Sequence, residues 1–145
     1  VDTATLDGRV DVWHGSVAAD REQAMAARRW LSDDELTRAD RFKFPDLQYR
    51  FAQRRAILRA VLGAYLDVPP ESVIFQINSH GKPFLVSSLQ LRRQPIEFSV
   101  SHSKDRYAIA VTAGRDLGVD LEVHRDNLNE VGLAESFFAP ADVQT

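Results

Sequence analysis

The chain has 145 residues, 44% of them hydrophobic and 27% charged, which is the composition of one soluble globular domain able to bury a substantial core. Its 18 basic and 21 acidic residues leave a net charge of −3, so bulk charge draws in no polyanion, although half of the basic residues fall between Arg28 and Arg59. Cysteine is absent, which excludes disulfides, thiolate nucleophiles and cysteine-held zinc, so any metal site must use oxygen or histidine.

No run approaches the roughly 18 apolar residues of a membrane span, and the opening VDTATLDGRVDVW has no basic region leading into an apolar one. A cytoplasmic protein with neither membrane nor nucleic acid as partner is expected. Val10 and Val12 alternate with polar neighbours and predict a short strand; Ala18 to Leu31 reads as helical. Ser32 followed by Glu35 forms a capping-box signature, which predicts a second short helix from Asp33, carrying Arg38 and closed at Phe42. From Asp46 to Leu66, Leu47, Phe51, Leu58, Val61, Leu62 and Tyr65 recur at helical spacing, with Arg50, Arg54 and Arg55 on the other face and Pro69 and Pro70 beyond the end.

After the prolines the period falls to two. Val73, Phe75 and Ile77 alternate before the turn residues Asn78, Ser79 and Gly81. Ile96, Phe98 and Val100 predict a strand and Tyr107, Ile109 and Val111 its hairpin partner, joined by a loop from Ser101 to Asp105. Leu117, Val119, Leu121 and Val123 predict a last strand. Helices first and strands after predict an α+β fold, with helices packed on an antiparallel sheet.

Three groups of residues carry chemistry. Asp120 and Glu122 stand two apart on a predicted strand and share one of its faces. Paired carboxylates repel unless solvated or neutralised, and a hard cation such as Mg²⁺ neutralises them; an ordinary solvent-facing strand is the alternative. The run FSVSHS places Ser101 and His102 together, but without a Gly-x-Ser-x-Gly elbow a serine nucleophile is disfavoured. An anion-binding loop and a hydrogen-bonded turn with a structural histidine both remain open there. Gly81, Lys82 and Pro83 form a tight, stiffened turn that presents one cation. Arg38 and Arg50 offer forked guanidinium donors that suit phosphate, or are plain solvated charges. His14, His80 and His124 have no ligand spacing.

The order GKPFL, then FSVSHS, then GVDLE, preceded by a long arginine-bearing helix, resembles the phosphopantetheinyl transferases of the larger, surfactin-synthetase-associated type. That family reads Gly-Lys-Pro, Phe-x-x-Ser-His-Ser and Gly-x-Asp-x-Glu. The likeness runs from about Val10 to the last residue, and the closing ESFFAPADV resembles the family segment after its metal strand. It implies transfer of phosphopantetheine from coenzyme A to a serine of an acyl or peptidyl carrier protein, in fatty acid, polyketide or nonribosomal peptide synthesis.

The resemblance also implies roles residue by residue. Asp120 and Glu122 would hold Mg²⁺ and, with His102, form the catalytic set. Ser101 and His102 would contact the coenzyme's phosphates; Arg38, Arg50 and Lys82, in its Gly81–Pro83 turn, would bind the phosphoadenosine end. Glu35 stands where some relatives carry a basic residue. Residues 1–117 would form the first α+β half of a two-half, pseudo-symmetric transferase, and 118–145 the opening of the second. The family's later Trp-x-x-Lys-Glu-Ala motif, whose Glu completes the metal site and is the candidate base, has no counterpart in the sequence. The segment alone is therefore expected to be inactive, with the missing C-terminal part as a possible partner chain. Two other classes fit the residues: a non-catalytic coenzyme A or nucleotide-binding module, separated by turnover, and a structural subunit, separated by mass in solution.

Overall fold

A computed structural model of the protein describes residues 9–81, 83–85 and 95–113, together with the backbone of 120–123 and 131–134. The fold is α+β. The chain divides into a helical unit, Ser16–Val73, and a strand-built unit formed by the residues up to Gly15 and from Ile74 onward.

In the helical unit the N-caps decide the boundaries. Helix α1 spans only Arg21–Ala27, which corrects the longer helix expected over Ala18–Leu31. Asp20 is extended and its carboxylate accepts the Gln23 N–H at 2.9 Å, so the helix cannot start earlier. At the other end Arg28–Trp30 tighten into a 3-10 turn and Leu31 is extended, because Ser32 opens the next cap. Helix α2, Asp33–Asp40, carries the predicted capping box: the Ser32 hydroxyl accepts the Glu35 N–H at 3.3 Å, and the Glu35 carboxylate accepts the Ser32 N–H at 2.8 Å.

Helix α3, Pro45–Leu66, begins on a proline, whose missing N–H costs nothing in the first turn. It ends before the prolines, where Asp67 turns left-handed at φ 57° and the Val68 N–H reaches back to the Gly63 carbonyl at 3.0 Å. Of the apolar residues expected to line α3, Phe51, Leu58, Leu62 and Tyr65 are buried, but the buried surface is broader than those positions and Leu47 lies outside it. Leu47 is 43% exposed, while Phe51, Ala52, Gln53, Ala56, Leu58, Arg59, Leu62, Gly63 and Tyr65 are buried at positions around most of the helix. Burying Leu62 completely contributes about 1.5–3 kcal/mol.

Of the polar groups on α3, the buried Gln53 side chain is partnered, whereas the Arg50 Nε is buried without a hydrogen-bond partner among the described residues. Gln53 Nε2 donates to the carbonyls of Ala18 at 2.6 Å and Tyr49 at 3.3 Å. Small residues cluster where Ala24 and Leu31 meet Ala52 and Ala56, which lets α1 approach α3 closely. A short 3-10 turn, Pro70–Ser72, closes the unit.

In the strand unit, β1 (Asp11–Ser16), β5 (Arg106–Ala113) and β4 (Ile96–Ser103) form a sheet in the order β1-β5-β4. Central β5 is buried continuously from Ala108 to Ala113. Its small alternate residues allow this, and the Thr112 hydroxyl donates to the Arg9 carbonyl at 2.7 Å. Two antiparallel pairs complete the unit: β2 (Phe75–Ile77) with β3 (Pro83–Leu85), and β6 (Asp120–Val123) with β7 (Val131–Ala134). Phe75 meets Phe98 edge-on at 5.8 Å.

The loop expected from Ser101 to Asp105 is corrected to a two-residue turn. The β4–β5 ladder continues through Ser101↔Ala108, His102↔Tyr107 and Ser103↔Arg106, and only Lys104 and Asp105 lie between the strands. Lys104 reverses the chain at φ 55°, the sign that primed hairpin turns need. Among the described residues no helix is long and apolar enough to cross a membrane.

Candidate functional site

The strand unit holds the residues of all three motifs. Gly81 lies in the β2–β3 connection with φ 80°; its N–H bonds the Asn78 carbonyl at 3.0 Å, and Asn78 Oδ1 accepts the His80 N–H at 2.9 Å. A Cβ at Gly81 would meet nothing within 4 Å, so the backbone angle and not space requires glycine there. Pro83 opens β3 opposite Ile77; Lys82, expected beside it, lies outside the described residues.

Ser101 and His102 occupy consecutive positions near the end of β4, an edge strand of the three-stranded sheet. Consecutive strand residues take opposite faces. His102 is exposed, on the face of Val100, which is itself 38% exposed as that face leaves the core formed by Ile96 and Phe98. Asp120 and Glu122 lie two apart on β6, in register with Ala134 and Gly132. The β6 backbone runs beside β4 and β5, and β3 beside β4, so the strands that carry residues of the three motifs adjoin one another. Among the described residues no three His, Asp or Glu side chains gather as a metal centre.

Arg38 and Arg50 belong to the helical unit, on α2 and α3, within a denser group of guanidinium ions than their spacing announced. Arg38 and Arg55 both lie over the Phe51 ring, 5.4 and 5.3 Å from its centroid. Burial first, and then Arg38 and Arg59, push the Arg55 pKa below its ordinary value, against the opposing pull of Glu35. Arg54 is lowered in the same way by burial and by Arg50 and Arg55. Phe51 and Arg55 were legible only as helix neighbours at i, i+4, and nothing local in the sequence tied them to Arg38.

Glu35 is buried beside two of these arginines. Its side chain is 9% exposed, and Oε1 accepts Arg59 Nε at 2.7 Å and faces Nη2 at 2.6 Å, while Oε2 is 3.5 Å from Arg55 Nη1. Arg59 also donates to the carbonyls of Pro70 at 3.1 Å and Val73 at 2.6 Å. The acid at position 35 is thus spent on tying α2 to α3 and to the turn after it. A surface depression of about 610 Å³ lies elsewhere, lined by Arg21, Glu22, Met25, Ala26 and Arg29. These residues all lie on or just beyond α1 and include no predicted site residue, so we assign it no role.

A family model described as 4'-phosphopantetheinyl transferase, N-terminal, matches residues 15–114. The 4'-phosphopantetheinyl transferase HetI of Nostoc sp. is 37% identical over 139 residues, which cover 96% of this chain and 58% of that protein. A candidate 4'-phosphopantetheinyl transferase of Synechocystis sp. is 36% identical over 114 residues, 79% of this chain and 45% of that protein. The 4'-phosphopantetheinyl transferase gsp of Aneurinibacillus migulanus is 30% identical over 90 residues, covering 62% and 34%. The chain spans about half the length of the curated relatives it matches.

Proposed function

Because the chain belongs to the phosphopantetheinyl transferase family, we propose that it serves the Mg²⁺-dependent transfer of phosphopantetheine from coenzyme A to a serine of an acyl or peptidyl carrier protein. The observation that carries this reading is the family match over residues 15–114, which takes in the arginine-bearing helices, the Gly81–Pro83 turn and the Ser101–His102 strand end. Residues 1–117 belong to a first half and 118–145 to the opening of a second.

In the reaction the carrier serine oxygen forms a bond to the coenzyme's β-phosphorus, the bond to 3′,5′-ADP breaks, and the serine proton passes to a base. Such transfers depend on positioning and on countering phosphate charge more than on covalent catalysis. Arg38, Arg50 and Lys82 bind the phosphoadenosine end, while Ser101 and His102 hold phosphate oxygens from the end of β4. Asp120 and Glu122 fit Mg²⁺: they are hard oxygen donors at alternate positions of β6, opposite only Ala134 and Gly132. When bound, the ion neutralises charge on the pyrophosphate. No acid or base beyond His102 is assigned within these residues.

The test is the intact mass of a purified apo-carrier protein after incubation with coenzyme A, Mg²⁺ and the protein, supplied with the segment that completes its relatives. Addition of one phosphopantetheine, abolished by chelator and by Asp120→Ala, is expected. An unmodified carrier under all conditions, with coenzyme A bound, points instead to the non-catalytic module.

A further inference from the structure

Arginines on two different helices converge on one aromatic ring. Phe51 is 6% exposed, and Phe42 packs against it with centroids 5.4 Å apart, so the ring is held in place from within the helical unit. Arg38 is exposed and stands on α2, a helix of 8 residues. A long exposed side chain samples many rotamers, and binding a ligand costs it that freedom. A guanidinium laid on a ring face loses the freedom in advance while its in-plane N–H groups stay available, because the ring uses the face of the cation and an oxyanion uses its edge. Arg55, on the same ring and 3.5 Å from Glu35, adds positive potential beside Arg38.

We propose that Phe51, backed by Arg55, is a positioning residue that presents Arg38 to a phosphate monoester of the donor nucleotide. The inference rests on the reading of the protein as one that binds coenzyme A. It assigns Phe51 no contact with the ligand. Burial first lowers the Arg55 pKa, and the repulsion of Arg55 by Arg38 and Arg59, which adds to that, is relieved when a dianion arrives.

The experiment measures the affinity of the full chain for coenzyme A and for dephospho-coenzyme A, which lacks the monoester, by titration calorimetry. The unaltered protein prefers coenzyme A, and Phe51→Leu reduces that preference about two- to fivefold, the worth of an exposed cation–ring contact. Phe51→Tyr restores the preference, and Phe42→Leu, which keeps an apolar side chain against the ring and leaves both arginine–ring contacts in place, leaves it intact. Should Phe51→Leu fail to fold, Phe51→Met takes its place, its unbranched side chain adapting to the vacated space. A preference undiminished in the Phe51 variants, or equally diminished by Phe42→Leu, overturns the platform and leaves the coenzyme reading standing. No binding of coenzyme A by the unaltered protein overturns both.

Discussion

A methyl group at position 63 would stand 2.6 Å from the carbonyl oxygen of Val68, inside van der Waals contact with backbone that the helix end holds in place. In a helix interior alanine ordinarily gains about 1 kcal/mol over glycine, but here the clash outweighs propensity. Gly63→Ala is expected to destabilise the protein by about 1–3 kcal/mol, read as a lower urea midpoint. The Glu35–Arg59 pair sets a second residue-scale test. With side chains 9% and 4% exposed, removing the acid leaves a buried cation and breaks the cap of α2 together. Glu35→Ala should cost about 3–5 kcal/mol, several times a surface ion pair, whereas replacing both residues by apolar ones of similar volume should cost much less. The first half of Glu35's role was legible, because Ser32 and Glu35 are three apart. The second was not, since Arg59 is 24 residues away and its burial depends on a turn that reaches it only after folding.

Elements announced by strong local signals were read well, and those set by the ladder were not. Ser32, the apolar spacing from Leu47 onward and the prolines after Asp67 placed α2 and α3 within two residues, whereas the polar run Ser101–Ser103 resembled a loop. Those residues remain in the sheet because the turn that follows is so short. That turn carries a cost: Lys104 is a β-carbon-bearing residue at φ 55°. Lys104→Gly should stabilise the hairpin by up to about 1 kcal/mol, after glycine's greater unfolded freedom is subtracted, seen as a raised melting temperature. Tyr107, opposite His102 in the same hairpin, is held protonated by burial, which pushes its pKa above 10.0. The unfolded chain therefore releases this proton first as pH rises. Its contribution is complete below the unfolded pKa and is lost as pH climbs through the folded one. Stability should fall on going above about pH 10, and Tyr107→Phe should flatten that part of the profile. Had the profile kept its slope in the variant, the fall would belong to other groups.

At the scale of the whole molecule, binding and turnover are expected to separate. The phosphate-binding groups proposed above are all contained in the chain, but the transfer proposed there also calls for a base and a fully held metal. The family likeness assigns both to a Trp-x-x-Lys-Glu-Ala motif that residues 1–145 do not contain, and the chain covers 58% of HetI. Produced alone, residues 1–145 should bind coenzyme A and melt at higher temperature in its presence, since a ligand at a hundred times its dissociation constant adds about 2.7 kcal/mol by mass action. Carrier modification should nevertheless be about 10²- to 10⁴-fold slower than in a mixture containing, as a second polypeptide, the segment that completes the relatives, the usual worth of a positioned acid–base group. The two readouts protect each other. A ligand-induced rise in melting temperature shows that slow modification is not the result of an unfolded sample, and the rate ratio shows whether the base lies outside. Transfer by residues 1–145 alone at the rate of the mixture would sink the idea, and would place the base on a group within them, with His102 at the exposed end of β4 the first to replace.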